Sequence, residues 1–347
     1  MVLVERRADN LQRIGESLPP AARRLLADMG LLGAFLAEGH LPCHGNRAVW
    51  GDVAVHETDF LRDADGHGWH LDRCRFDAWL RVVAIERGAA LLRPAKLAAI
   101  ERDGEGWRVS LMTRDGPVGL TAAFVIDSGG RAAPLARRLG AVRRPLGDRL
   151  VCGWVYGEAR TNADDAGFST VEAVEDGWWY TAPLPGQRRA LAYFTDADLP
   201  AAQLAHDRGM LVASATATAA IGPLIDECAF VPLRGGIRAA HSSVLDCTGP
   251  GWIAAGDASI SFDPISSQGL LHALFTGLAA AAAADQYLMG RAEALGEYQR
   301  VIDRVKIAYL NHLTSCYASE TRWPTARFWR RRAELLSSRM SPWWNAS

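Results

Sequence analysis

Apolar positions along this chain recur at two spacings, and the changes from one to the other mark out its elements. The longest such stretch runs from Gly251 to Ala284. Trp252 to Ala255 predict a short strand, Gly256-Asp257 break it, and Pro264 to Gly269 lead into a helix that is apolar on nearly every side. A helix of that kind is expected to be buried. Met1 to Val4 predict an opening strand that ends in an acid, Glu5. Next comes a predicted helix, with Ser17 as its N-cap, Pro19 and Pro20 in its first turn, Leu25, Leu26 and Met29 on one face and Gly30 as its stop.

From His40 to Asp65 the periodicity fades and polar and aromatic residues dominate, which predicts loop or edge strand. Asp72 then caps a helix carrying Phe76, Trp79, Leu80 and Val83. Three alternating runs, Leu97 to Ile100, Trp107 to Thr113 and Val118 to Thr121, are separated by Asp-Gly pairs and predict a meander. Ala122 to Ile126 form a buried strand ending at Asp127 and glycines. Residues 150–196 alternate in the manner of an antiparallel sheet, Gln203 to Ala219 predict one helix, and Phe230 to Ala239 another strand. The tail from Arg291 onward is helical and rich in Arg and Trp, the pattern of a packed amphipathic cap. The expected class is α/β: a Rossmann-like domain, incomplete and with an inserted β-meander, a mixed or antiparallel sheet lobe, and C-terminal helices.

Composition changes little. With 347 residues, 49% hydrophobic and 22% charged, the chain is globular throughout. A net charge of −1 gives no general pull towards nucleic acid or anionic membrane, and neither is expected as a partner. Lys96 and Lys306 are the only lysines; the other basic residues are arginines, suited to fixed carboxylate or phosphate contacts. The six cysteines contain no Cys-x-x-Cys pair, and His40-Leu-Pro-Cys43-His44 stands without a second ligand cluster, so no metal site is expected. The apolar run from Leu270 to Ala284 is too short for a membrane span, and Met1 to Glu5 meet charge too soon for a signal peptide. A cytoplasmic location is expected.

The chemistry lies at the strand ends. A strand ending in an acid, as at Glu5, follows the first βα unit of a dinucleotide fold, where the carboxylate holds ribose hydroxyls. The Gly-x-Gly-x-x-Gly turn of that unit occurs nowhere in the chain, so the chain is expected either to begin late in such a domain, as an N-terminally truncated one, or to have no such domain. In order come Glu5, Asp72-Arg73-x-x-Phe76-Asp77, Asp127-x-Gly129, and Gly256-Asp257 followed by Asp263-Pro264-x-x-x-Gln268-Gly269. Around an interrupting meander, these pieces resemble the flavoprotein monooxygenase class, including its flavin-dependent halogenase branch. Arg13-Ile-Gly-Glu16-Ser-Leu-Pro-Pro, Cys43-His-Gly-Asn-Arg47 with Trp50, Asp263 to Gly269, and Glu320-x-Arg322-Trp323-Pro are similar to one sub-branch. Its members are the maturase flavoproteins that help build tryptophylquinone cofactors in lysine ε-oxidase, glycine oxidase and related enzymes.

The resemblance implies an FAD-dependent monooxygenase that hydroxylates a tryptophan side chain of a partner polypeptide, with NAD(P)H or a reductase as reductant. It implies that Glu5 holds the adenosine ribose and Arg73 the phosphates or ribityl chain. It further implies that Asp257, after Gly256, accepts from ribityl hydroxyls, and that Pro264, Gln268 and Gly269 put backbone N–H groups at the flavin's pyrimidine edge. Arg13, Glu16 and Asp127 complete the implied cofactor set, and His44 is the candidate acid or base. For three of these, plainer readings stay open: Asp127 as a cap, Arg73 paired with Asp77, His44 as a solvated loop residue. The halogenase pattern Trp-x-Trp-x-Ile-Pro is present only as Trp178-Trp179-Tyr-Thr-Ala-Pro183, and no lysine lies in the implied tunnel region, which favours hydroxylation. A halogenase or reductase acting on a small molecule, and an inactive fragment, remain as alternatives. The implied division is 1–40, 71–141 and 245–289 for FAD, 41–70 and 142–244 for substrate, and 290–347 as C-terminal helices.

Overall fold

The computed structural model describes residues 1–8, 12–60, 63–159, 167–226 and 228–340, leaving aside the side chains of 231–233 and 335–340. Its largest element is a seven-stranded sheet in the order Cys228–Ala239, Leu150–Ala159, Arg188–Asp196, Gly177–Leu184, Phe168–Val174, Gly45–Val49, His56–Asp59. The pairs are antiparallel except Phe168–Val174 with Gly45–Val49, which run parallel and make the sheet mixed. Period-two alternation sorts its aromatics. Trp154, Tyr156, Trp178 and Phe194 pack on one face, the last two stacked at 3.8 Å, while Trp179, Tyr193 and Leu191 pack on the other against short helices.

Two small parallel ladders lie apart from this sheet. Val2–Val4 pairs with Ala90–Leu92, and Val125–Asp127 pairs with Trp252–Ala254, which Thr248–Gly249 flanks. The meander joins Ala95–Asp103, Gly106–Thr113 and Gly116–Ala122 through two Asp-Gly turns, as the alternation predicts. Trp107, Val109 and Leu111 from it share a core with Val125, Ile253, Ala280 and Ile302. The helix Arg73–Glu86 starts where expected, with the Asp72 carboxylate accepting from Arg75 N at 3.2 Å. Helices Glu293–Ala318 and Arg327–Met340 close the structure, the latter burying Phe328 and Trp329 beneath the large sheet. The residues 341–347 of the predicted tail lie outside the described ones.

Three expectations are corrected. Ser17 does not cap a helix: Ser17–Leu18 is a strand paired with Trp69 and His70, and the helix begins after Pro20, at Ala22–Asp28. Local capping preference lost there to tertiary pairing. Residues 203–219 are not one helix, because Asp207 takes an extended conformation and caps a second, Arg208–Ala215, by accepting from Met210 N at 3.0 Å. The long helix Gly269–Leu288 is not buried all round, since Ala273, Phe275, Gly277, Leu278, Ala281 and Ala282 face outward.

Candidate functional site

The strand Trp252–Ala254 ends in a tight turn. Gly256 has φ +58, a conformation that disfavours side chains, so the chain can reverse and leave Asp257 at the strand's end. Thr276, one turn past His272 in the long helix, ties the two pieces together. Its hydroxyl accepts from Gly256 N at 2.8 Å and donates to His272 O at 2.7 Å. The Asp257 carboxylate is 30% exposed and faces the Arg131 guanidinium at 3.6 Å.

The approach to the helix is fixed from below. Asp263 is buried; its carboxylate accepts from Ile265 N at 3.0 Å and from the Tyr317 hydroxyl at 2.9 Å, which holds Pro264–Ser266 in a single turn of helix. Burial pushes the Asp263 carboxyl above the ordinary range. Ser267 then adopts φ +51, and Gln268 begins the long helix without a side-chain cap. The twenty-residue helix thus begins at Gly269, where an added Cβ would meet nothing within 4 Å. The turn at Gly256 is tied to the long helix at Thr276, with Ala273 beside it.

A second group adjoins the same helix start, because Leu270, Leu271 and Leu274 pack on the core around Leu18 and Phe76. The segment before Leu18 is pinned from two sides: Tyr156 OH donates to Arg13 O at 2.6 Å, Arg238 to Ile14 O at 3.3 Å, and Arg73 to Gly15 O at 2.7 Å. Glu16 is buried, accepting from Gly15 N and the Tyr156 hydroxyl, and burial raises its pKa. Arg13 and Arg73 both face Asp77, at 3.7 and 3.3 Å. Arg73 therefore spends its guanidinium inside the protein, the plainer of its two readings.

The remaining predicted residues are used locally. Asp127 is buried, and its two oxygens accept from Gly129 N, Leu135 N and Ala136 N at 2.8 to 2.9 Å, so it caps the helix Pro134–Arg138. Glu5 accepts from Arg7 N at 2.9 Å. His44 lies at the far edge of the large sheet, its ring 5.8 Å from that of His67. Tyr156, Thr276 and Tyr317 carry structural roles here that sequence reading passed over. A lone threonine one turn from His272 in an alanine-rich helix was the available signal. A cavity of about 40 Å³ beneath Asp263, lined by Asp148, His241, Tyr317 and Arg332, has room for water and none for an indole ring. Among the described residues no group of His, Cys, Asp and Glu is placed to hold a metal, and no helix is long and apolar enough to cross a membrane.

The sequence profile of the tryptophan halogenase family matches residues 49–340. The chain belongs to the tryptophan halogenase family. Among its relatives is a Marinomonas mediterranea protein named FAD-dependent oxidoreductase LodB, 27% identical over 96% of this chain and 89% of the relative. The peptidyl tryptophan dihydroxylase QhpG, essential for tryptophylquinone cofactor biogenesis, is 26% identical with a TM-score of 0.75, covering 95% of this chain and 71% of QhpG. The flavin-dependent halogenase CmlS shares the fold at a TM-score of 0.82 and 23% identity, over 97% of this chain and 65% of CmlS. The chain thus spans about two thirds of that family member's length. The mixed α/β architecture with C-terminal helices expected from the sequence is the fold of this family.

Proposed function

We propose that this family member is an FAD-dependent monooxygenase that hydroxylates a tryptophan side chain of a partner polypeptide on the way to a tryptophylquinone cofactor. The likeness to QhpG carries this reading, because QhpG resembles the chain over 95% of its length and its name states both substrate and reaction. The likeness to LodB supports the oxidoreductase part. The two lysines support hydroxylation over halogenation: Lys96 is exposed on the meander and Lys306 faces Asp303 at 3.5 Å.

The residues present fit one half of FAD. Asp257, half-buried at a strand end, is an acceptor for ribityl hydroxyls, and the helix start at Gly269, where the Gln268 N–H is already turned to Ser266 Oγ, suits the carbonyl edge of the ring. Its fixed positive end favours negative charge on the reduced ring. Bound FAD supplies the activation of O2 that an electron-rich indole requires. The chain's part is positioning: Thr276 holds the turn at Gly256, and Asp263 holds the approach to the helix start. The divisions 1–40, 71–141 and 245–289 for the cofactor, and 41–70 and 142–244 for the substrate, follow from this reading.

The test supplies reduced flavin from a reductase, O2, and either a tryptophan-bearing polypeptide of an amine-oxidising quinoprotein or free tryptophan with halide. Mass spectrometry should find oxygen added to the polypeptide's tryptophan. Halogenated free tryptophan, or turnover of a small molecule alone, would replace this reading with the halogenase or reductase one.

A further inference from the structure

The stretches around Trp50 and Glu320-x-Arg322-Trp323 lie far apart in sequence and meet in the fold. Gly51 N donates to the buried Glu320 carboxylate at 2.8 Å, Trp50 Nε1 to Cys316 O at 2.9 Å, and Arg322 to Val49 O at 3.2 Å. Trp329 Nε1 donates to Val174 O at 3.0 Å. These contacts fix four oxidisable rings in series. Between ring centroids, Tyr317 is 5.9 Å from Trp50 and 6.1 Å from Trp329, Trp50 is 5.2 Å from Trp329, and Trp329 is 6.0 Å from Trp323. Each step is a contact distance for aromatic rings. Tyr317, at the inner end, is buried, and its hydroxyl donates at 2.9 Å to Asp263, ahead of the long helix. Trp323, at the outer end, is half-buried beneath Arg322, whose guanidinium lies 4.3 Å over its ring.

The inner end carries the chemistry. A phenol gives up one electron readily only as its proton leaves, so a tyrosine that serves as an electron donor needs a base within hydrogen-bond reach. Asp263 is placed as that base: one oxygen accepts from Ile265 N and the other from Tyr317, and burial makes it a stronger base than an exposed carboxylate. Arg332, 4.9 Å over the Tyr317 ring, disfavours a cation there and so couples loss of the electron to loss of the proton. The Arg322 charge does the same for Trp323.

We propose that Tyr317, Trp50, Trp329 and Trp323 are an electron relay that drains oxidising equivalents from the Asp263 turn to the protein surface. The oxidant is an oxygen-centred radical released where O2 is activated without a substrate to take the oxygen. It accepts one electron from Tyr317 as the phenolic O–H breaks and the proton passes to Asp263. Trp50 or Trp329 returns an electron to the Tyr317 oxygen, which recovers its proton from Asp263, and the vacancy moves through Trp329 to Trp323. There the indole loses its proton to water, and an external thiol supplies the hydrogen atom that restores it. The radical, now an anion, takes up the released proton, so the sum is one radical reduced and one thiol oxidised. The oxidant rests on the flavin reading above; the ring series and its proton acceptor do not.

Pulse radiolysis with azide radicals, which oxidise accessible indoles by one electron, tests the series without any flavin by running it from the surface inward. The expected result is an indole-radical absorption that decays as a tyrosyl-radical absorption rises, at a rate independent of protein concentration. Tyr317→Phe should remove that rise, Trp323→Phe reduce it and Asp263→Asn slow it. Trp50→Phe, which leaves Tyr317 in contact with Trp329, should retain it. A rise in Tyr317→Phe equal to that of the wild type overturns the relay. Should that variant fail to fold, Trp323→Phe at the half-buried end decides, and an undiminished rise there overturns the relay equally. A light flash on the chain with bound riboflavin then places an oxidant at the candidate site. An indole radical that Trp329→Phe abolishes is expected, and its absence overturns the link to the site. A positive azide result with no riboflavin bound leaves the relay standing and removes the flavin reading; bound riboflavin with a failed azide result does the reverse.

Discussion

Single residues in this protein are mostly governed by whether burial left them a partner. His70 is fully buried beneath the large sheet, with Nε2 2.9 Å from Ser169 Oγ, and burial pulls its pKa down to about 3 from the ordinary 6.5. A histidine whose folded pKa is depressed stabilises the fold above its unfolded value, and that stability is lost as pH falls from there towards the folded one. Between pH 6.5 and about pH 5 the loss amounts to about 2 kcal/mol from this side chain. Denaturant unfolding at the two pH values should show the wild type losing that much more than His70→Gln. Equal losses would mean that His70 stays accessible to protons in the fold. The same accounting explains the predicted carboxylates that face inward. Asp127 was legible as an acid at a strand end, but whether its oxygens meet a cofactor or the backbone N–H groups of Leu135 and Ala136 depends on where residues 134–136 turn back, which no spacing in the sequence states.

At the scale of elements, the unit that matters is the strand Trp252–Ala254, its turn, and the helix Gly269–Leu288. Strand, break and helix were all legible from the apolar pattern, because each is set by local periodicity and by Gly256, Asp257 and Pro264. The tie between them was not, since Thr276 reaches back twenty residues to Gly256. Thr276→Val would keep the shape and remove the acceptor, leaving Gly256 N buried and unsatisfied. A cost of about 1–3 kcal/mol in thermal unfolding is expected, with weaker riboflavin binding, while Thr276→Ser retains both. A valine variant as stable and as tight as wild type would show that the turn is held by packing alone. Ser17 illustrates the opposite case, where the capping signal was strong and the pairing of Ser17–Leu18 with Trp69 and His70 overrode it.

Across the whole molecule, the C-terminal helix couples the large sheet to the loop ahead of the candidate site. Arg332 and Asp196 are buried together, with contacts of 2.9 and 3.1 Å. Arg332 also lies 4.9 Å over the ring of Tyr317, which holds Asp263. Removing Arg332 leaves Asp196 with Arg331 alone, at 3.2 Å, so Arg332→Met should cost about 1–3 kcal/mol and expose the helix Arg327–Met340 to proteolysis. The double replacement Asp196→Leu with Arg332→Leu should recover much of that loss. If the single variant melts with wild type and resists protease, the helix is anchored by Phe328 and Trp329 instead.

The sequence by itself determined the classes of element, the meander, the helix cap at Asp72, the strand ends that bear Glu5, Asp127 and Asp257, and through its motifs the family. Those features are local, fixed by alternation, turn residues and short spacings. Only the tertiary structure decided which carboxylates remain available, because availability depends on donors brought in from distant segments: Asp257 keeps 30% of its side chain exposed beside Arg131, while Asp127, Glu16 and Asp263 are buried and hydrogen-bonded within the protein. It also decided that the long apolar helix keeps an open face, since burial depends on what packs against a helix and not on its composition.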